Sequence, residues 1–393
     1  SPGSMPISKS LLDEGLLLPP KKLVVAGQLN ESLFEEIIHS TRNPANSSGD
    51  FSAQLSANRT GVERLAALQL GYGSEFGTLL LALDRYAGQL MRAAIHRIPD
   101  GEYNAKDWLD DDGCGQQDIL VNLRLTISGS EVTFDFEGTA PQVVGNVNCS
   151  LPVTAAAVFY AFRCLLPPQT PACAGAMRPL TLVTEKGSLV DAKYPAAVAA
   201  GNVETSTRIV DVVLAALAKA LPEKIPAASH GSMNNLAMGG TVLNSDGDTR
   251  NWDYYETMGG GMGAGPTGGG LSAVQTHMTN TLNTPVEVLE LTMPLRLHEY
   301  SIRQGSGGVG QRSGGNGLVR EFEFLDAANF TLLTERRRLA PWGLAGGDAG
   351  NCGVNVLNGS EIEGKYEASV NSGDRLRVET PGGGGYGQSS PSL

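Results

Sequence analysis

Apolar positions recur with two different periods along this chain, and the switch between them divides it into kinds of element. At helical spacing, Leu33, Phe34, Ile37 and Ile38 line one face over residues 29–39, where Asn30 can cap and Glu31 opens the first turn. The same period returns over 51–70 and 74–98, with Leu79, Leu83, Tyr86, Leu90, Met91 and Ala94 on one stripe, and predicts two long helices forming an antiparallel pair. Residues 43–50 read as a polar loop, and Pro19-Pro20 make 11–25 an extended segment. Further helices are predicted over 153–166, closed by Pro167-Pro168, and over 208–221, with Ile209, Val212, Val213, Leu217 and Leu221 inward. Period-2 alternation over 119–127 and 132–136, joined by Ser128-Gly129-Ser130, is a hairpin signal, and 180–184 is strand-like. Strands at 295–303, 318–324, 330–334, 354–357 and 375–379, between glycine-rich turns such as 305–317 and 343–350, predict an antiparallel β unit. The fold class is therefore α+β: a helical region over 1–113, a central mixed α/β lobe over 114–300 and a β-rich C-terminal lobe over 301–393.

Residues 254–290 have no apolar period of their own. They hold eight glycines, followed by Thr276, His277, Thr279, Asn280, Thr281, Asn283 and Thr284. Glycines such as Gly260 and Gly261 let backbone N–H groups face a ligand at close range, and the residues that follow supply donors and acceptors, so the span reads as the floor of a site. The plainer alternative is a long structural loop between strands. Glu256 is near this floor in sequence. His277, surrounded by residues able to orient its ring, reads as an acid/base or ligand histidine or, equally, as a hydrogen-bonded structural one. His230, in His-Gly-Ser-Met-Asn-Asn, could approach the same floor, whereas His39 and His96 read as capping or surface residues. The segment 201–207, with Glu204, reads as a helix N-terminus able to take an anion or simply to be capped.

Composition narrows the picture. With 393 residues, 41% hydrophobic and 18% charged, the chain can build a substantial core, and 50 glycines imply many turns and close backbone approaches. A formal charge of −12 argues against nucleic acid and acidic membrane surfaces as partners. The one basic run, Arg336-Arg337-Arg338, reads as a solvated or subunit-facing patch. The acidic residues Asp107, Asp110, Asp111 and Asp112 read as a solvated turn or a hard-cation site. Five scattered cysteines and no long apolar run suggest a cytoplasmic protein. Two G-x-G-x-x-G matches, at 263–268 and 305–310, lack the strand–turn–helix setting that gives the motif meaning, and no P-loop occurs; any ATP would bind another chain. Neither G-x-S-x-G nor H-E-x-x-H is present.

Eight ordered segments carry a resemblance: SPGSMP at Ser1, SAQLSANRTGVERL at Ser52, IPDGEYNAKDWLDDDG at Ile98, DFEGTAPQVVGNVN at Asp135, YYETMGGGMGAGP at Tyr254, THMTNTLNTPVE at Thr276, GSGGVGQRSGGNGLVREFEF at Gly305 and TPGGGGYG at Thr380. Together they resemble the hydantoinase B/oxoprolinase family, the B-type component of ATP-dependent cyclic-amide hydrolases such as 5-oxoprolinase and N-methylhydantoinase, related to ketone carboxylases. The resemblance implies an A-type subunit of ATPase fold that holds ATP with Mg2+ and phosphorylates the amide oxygen, while the B-type component helps open the ring. It also implies a divalent metal, such as Zn2+ or Mn2+, held by an upstream segment that has no counterpart here. Ser1 is thus expected to be a processed start or the continuation of a longer polypeptide, with no metal ligand in this chain. Carried onto this sequence, the resemblance implies His277 and Glu256 as catalytic residues, and Thr279, Asn280, Gly260 and Gly261 as substrate-binding.

Overall fold

The computed structural model describes residues 7–41, 43–243, 247 and 249–389. The SPGSMP segment, 1–6, lies outside the described residues. The chain forms two compact units, the first from residues 15–92 and 167–179, the second from 7–14, 93–166 and 180–389.

The first unit begins with a small hairpin, β1 (Val24–Val25) and β2 (Gln28–Leu29), turned by Ala26 and Gly27 at positive φ. Helix α1 (Glu31–His39) follows as its pattern predicts, with Asn30 Oδ1 accepting the Leu33 N–H at 3.3 Å and Leu33, Ile37 and Ile38 buried. Residues 43–50 are not a loop. Asn43 caps helix α2 (Pro44–Tyr72), and Pro44 occupies the first turn, where its missing N–H costs nothing. The Phe34 and Phe51 rings meet edge to face at 6.3 Å. A single 3-10 turn, Gly73–Glu75, leads into helix α3 (Phe76–Ile95). The predicted antiparallel pair does not form, since α2 packs on α1 and on that turn but not along α3. Apolar residues on α2 are spread round the helix rather than gathered on one stripe, so nothing draws it back onto α3. Residues 56–75 are exposed on every side.

The second unit holds three sheets. In the first, β3 (Gly101–Asp111), β4 (Gln117–Ser128) and β5 (Glu131–Asp135) run antiparallel, and β6 (Leu180–Val183) joins β5 in parallel. Ile119, Val121, Leu123, Leu125 and Ile127 alternate inward along β4, as period 2 requires. Helix α4 (Leu151–Arg163) packs on α5 (Ser206–Ala220), which in turn covers β3 and β4. The acidic residues 107–112 read as a turn in sequence; in the structure 107–111 belong to β3.

The other two sheets face each other across a shared core. One runs β14–β11–β7–β8, built from β7 (Asn235–Leu243), β8 (Thr249–Thr257), β11 (Ala328–Leu333) and β14 (Lys365–Val370). The other runs β13–β12–β15–β10–β9, from β9 (Leu295–Arg303), β10 (Gly317–Phe324), β12 (Val354–Leu357), β13 (Ser360–Ile362) and β15 (Arg375–Glu379). Leu236, Met238, Trp252, Leu295, Phe322, Phe324, Phe330, Leu332, Leu376 and Val378 fill the space between, with α6 (Val286–Thr292) adding Leu289. The predicted C-terminal strands all form, but they are shared between two sheets, and β7 and β8 join them from the middle of the chain. Tyr254 and Glu256 thus lie on a strand, not in a loop.

The glycine-rich segments pack on one another. A Cβ on Gly261 would lie 2.0 Å from the Gly315 carbonyl oxygen, and one on Gly383 would lie 2.1 Å from that of Met262. Their N–H groups are taken by neighbouring backbone: Gly261 donates to Pro381, Gly383 to Gly315, Gly315 to Met262 and Gly308 to Gly383. Both G-x-G-x-x-G matches fall in this layer, where the backbone directs its donors to itself.

Candidate active site

The turn leading into α5 is π-helical over Gly201–Thr205, a widening often found where a side chain must be presented. Gly201 donates to Val198 and both Val203 and Glu204 donate to Ala200, so of the two readings of 201–207 the anion site lacks these donors. What the turn presents instead is a carboxyl group. Glu204 is fully buried; its Oε1 accepts the Asn235 side-chain amide at 2.7 Å and the Met233 N–H at 3.2 Å, while Oε2 has no partner. Burial, then the nearby Glu335 charge, pushes its pKa up to about 8 despite Lys365. Glu204 is therefore a protonated acid at neutral pH. Tyr255 extends the chain of contacts by donating to Asn235 Oδ1 at 2.7 Å.

The segment that satisfies Glu204 also carries His230, whose backbone N–H donates to the Gly261 carbonyl. Its ring lies against Gly260, where a Cβ would come within 2.5 Å of the imidazole, so glycine here makes room for a histidine. His230 Nδ1 is 3.4 Å from Thr276 Oγ1. Burial, helped by the adjacent His277, lowers the His230 pKa to about 3. His277 holds a left-handed backbone, φ 56°, uncommon outside glycine. Its ring meets Tyr160 edge-on at 5.9 Å, and its Nε2 is enclosed without a partner. Burial lowers its pKa as well, with Asp211 opposing. Two imidazoles whose surroundings favour the neutral form thus accompany a carboxyl whose surroundings favour its proton, held from the head of α5 by the segment that carries His230, and groups driven to opposite protonation states are what acid and base chemistry at one pH requires.

The structure separates some predicted partners. Glu256 shares no hydrogen bond or ion pair with His277; it is buried in an ion pair with Arg320, accepts from Tyr254 Oη at 2.7 Å and holds Asn283 at 3.0 Å. Burial raises its pKa, and Arg320 opposes the rise. Thr279 closes a local turn, accepting the Thr276 N–H at 3.1 Å and donating to the Thr276 carbonyl at 2.8 Å. Asn280 is exposed beside it. Gly260 and Gly261 give their N–H groups to the Val274 and Pro381 carbonyls.

Beneath the site runs a charge network that sequence reasoning missed. Arg336 bridges Asp107 and Asp211, each at 2.7 Å; Arg208 reaches Asp107 at 3.3 Å and Glu335 at 3.2 Å; Lys365 pairs with Glu335 at 2.6 Å. The basic run is therefore not a solvated patch: Arg336 is buried and Arg337 is fixed by Asn234 and Asn355. The acidic cluster is no solvated turn either, because Asp110 caps the N–H groups of Arg337, Arg338 and Leu339, and Asp112 those of Cys114, Gln116 and Gly145. Burial alone would raise the Asp107 pKa, but Arg336 and Arg208 outweigh it and hold the group below the usual carboxylate range. The available signal was Arg208 and Asp211 three residues apart inside an otherwise apolar helix, since charges on a buried face need partners. Among the described residues no group of three or more His, Cys, Asp or Glu side chains is placed to hold a metal ion.

Comparison with known proteins agrees with this architecture. The profile of the hydantoinase B/oxoprolinase family matches residues 1–389. The chain is 35% identical over 424 residues to 5-oxoprolinase 1 of Arabidopsis thaliana, covering 98% of this chain but only 32% of that protein. It is 30% identical over 395 residues to a putative B-type component of a D-/L-hydantoinase from a Pseudomonas species, covering 95% of this chain and 65% of that one. Among solved structures, an ATP-dependent caprolactamase from Pseudomonas jessenii superposes with a TM-score of 0.88 at 26% identity, over 98% of this chain and 69% of that chain. An acetone carboxylase shares the fold at a TM-score of 0.79 and 15% identity, over 97% and 57% of the two chains.

Proposed function

The chain belongs to the hydantoinase B/oxoprolinase family, and from that premise we propose that it acts as the B-type component of an ATP-dependent hydrolase that opens a cyclic amide such as 5-oxoproline, a hydantoin or another lactam. Two named relatives, a 5-oxoprolinase and a caprolactamase, act on cyclic amides, and a third is one component of a hydantoinase, which supports both the substrate class and an A-type companion. In this reading ATP with Mg2+ is held by that companion, which the closing of this chain's glycine motifs into a packed layer supports.

The observation that carries the reading is the arrangement of a buried Glu204 held by Asn235 and Met233, with one oxygen unpartnered, on the segment that carries His230, whose Nδ1 faces Thr276 next to the enclosed, unpartnered His277 Nε2; burial raises the first pKa and lowers the other two. An amide is a poor electrophile, and phosphorylation of its oxygen on the companion supplies the activation; this chain's residues then move protons. His277 Nε2, enclosed and unpartnered, accepts the proton of the attacking water as a bond forms to the carbonyl carbon. Glu204 donates to the ring nitrogen as the C–N bond breaks, its other oxygen fixed by Asn235 and Met233, and the acyl phosphate so formed is hydrolysed by a second water to carboxylate and inorganic phosphate. His230 and Thr276 hold the His277 loop in place, Thr279 fixes its turn, and the exposed Asn280 meets the substrate. Glu256, locked to Arg320, positions Asn283 rather than reacting.

The test is reconstitution with an A-type companion, followed by assay of ring opening and phosphate release on lactams and hydantoins. His277→Asn, which tolerates the left-handed backbone, and Glu204→Gln should each lower kcat by about 10²–10⁴. Unchanged turnover in both would reduce this chain to passive support, and an absolute need for bicarbonate would make the complex a ketone carboxylase instead.

A further inference from the structure

The contacts to Glu204 come from one face of the β14–β11–β7–β8 sheet. Strand register sets Ala237 opposite Tyr255 and Asn235 opposite Thr257, so Tyr255 and Asn235 are diagonal neighbours on that face, while Leu236, Met238 and Tyr254 point into the shared core. Adjacent tyrosines therefore serve different glutamates. Tyr254 Oη donates to Glu256 at 2.7 Å, whereas Tyr255 Oη donates at 2.7 Å to Asn235 Oδ1, and Asn235 Nδ2 donates to Glu204 Oε1 at 2.7 Å. Leu333, opposite Asn235 on β11, fixes which end of the amide is which: its backbone carbonyl can only accept, and Nδ2 donates to it at 2.9 Å. Oδ1 then needs a donor. Burial, followed by proximity to Glu204, pushes the Tyr255 pKa up to about 12, so its hydroxyl keeps the proton it donates.

Glu204 Oε1 thus faces two groups that can only donate, the Asn235 amide and the Met233 N–H at 3.2 Å. A carboxyl proton has no place between donors, so it belongs on Oε2. Ser232 stands beside the carboxyl but offers that proton no acceptor, because its Oγ already takes the Asn234 and Glu335 N–H groups at 3.0 and 3.1 Å. We propose that Tyr255 is a positioning residue for ring opening: by holding the Asn235 amide it keeps Oε1 as the accepting oxygen of Glu204 and Oε2 as the one that gives its proton to the leaving nitrogen. The assignment rests on the reading of Glu204 as the ring-opening acid. Tyr255 acts through Asn235 and does not touch the reacting atoms. Losing its hydroxyl takes this donor from Oδ1 of a buried amide, and an amide free to tilt lets the proton visit Oε1, where it is not delivered.

Tyr255→Phe keeps the ring and removes one oxygen. In the reconstituted complex its kcat should fall about tenfold with KM unchanged, the loss of one buried hydrogen bond felt in the transition state alone. The same substitution should have no further effect in an Asn235→Ala background, since the hydroxyl works only through that amide. Infrared difference spectra of the full chain, wild type minus Glu204→Gln at about pH 6, below the folded pKa of about 8, should show the C=O stretch of a protonated carboxyl. Tyr255→Phe should move that band to higher frequency, because a carbonyl bond stiffens as the hydrogen bonds to it weaken. An unmoved band, an unchanged kcat or an equal loss in both backgrounds overturns the role of Tyr255 and leaves Glu204 as the acid. No band at all, or full turnover by Glu204→Gln, removes the acid and this proposal with it.

Discussion

Glu204→Gln makes the sharpest test of the buried acid because it can be read without substrate or companion. The wild-type carboxyl has a folded pKa of about 8 against an ordinary value of 4.5, so between those limits the folded chain holds a proton that the unfolded chain has released. Stability from this group is therefore fully present below pH 4.5 and is lost as pH rises through 8, with a slope of about −1.4 kcal/mol per pH unit between. From pH 5.5 to pH 8 the loss integrates to about 3 kcal/mol. Glutamine presents the same acceptor to Asn235 and Met233, leaves an uncharged group where Oε2 stands and does not titrate. The variant should thus be level with wild type near pH 5 and gain on it as pH rises. With an unfolding entropy of about 2.1 cal/mol/K per residue, 3 kcal/mol corresponds to roughly 4 °C in Tm for a chain of this length. Thermal scans of both proteins at half-unit steps from pH 5 to 8.5 measure the difference. Parallel profiles, with no divergence above pH 6, would show that Glu204 is ionised in the folded state and would remove the proton donor from the site.

Three other perturbations probe the scaffold. Arg336→Met leaves Asp107 and Asp211 without their shared cation and should cost about 3–5 kcal/mol, near 4–6 °C in a thermal scan at pH 7; a shift under 1 °C would mean the network contributes little. Asp107→Asn acts on the acid side only: its carboxyl is held below the usual range, so its contribution is complete above pH 3.8 and fades as pH falls through the folded pKa, and the variant should show a shallower acid limb in fluorescence-monitored unfolding. Gly261→Ala drives a methyl to 2.0 Å from a backbone oxygen and should abolish soluble expression, whereas Gly268→Ala, with nothing within 4 Å, should be silent; equal yields would contradict the packed glycine layer.

How much of this was legible in the sequence follows from what each pattern encodes. Period found α1, the β4–β5 hairpin and α4 because in each one face meets a core and the other does not, and it found α5 and the C-terminal strands although α5 is buried on nearly every side. It failed where that contrast is missing. Strand β7 hides behind Gly239 and Gly240, whose lack of side chains is itself a packing requirement: a Cβ on Gly240 would meet the Ala327 carbonyl at 2.8 Å. Helix α2 was found but its partner was misassigned, since apolar residues scattered round a helix mark no face for a neighbour to cover. Charge was the harder signal to read. Asp107 and Arg336 look like surface residues in sequence because nothing local marks a carboxylate and a guanidinium 229 positions apart as a pair.

The candidate site shows the same limit and the reason for it. His277 and the glycines around it were visible because they cluster within one segment, but the acid that complements them comes from the start of α5, and its raised pKa depends on a strand, a π-helical turn and a distant lysine–glutamate pair acting together. A residue type announces that chemistry is available; protonation state is a property of the surroundings, which only the folded chain assembles. Glu256 and Glu204 illustrate the point as a pair. Both are buried glutamates that accept from an asparagine amide and keep one oxygen unpartnered, and burial pushes both toward the protonated form, yet Glu256 is tied to the Arg320 guanidinium while Glu204 makes no ion pair. The same side chain is an ion-paired anchor in one setting and, in the proposed reading, a proton donor in the other, and the difference between them is one bonded arginine.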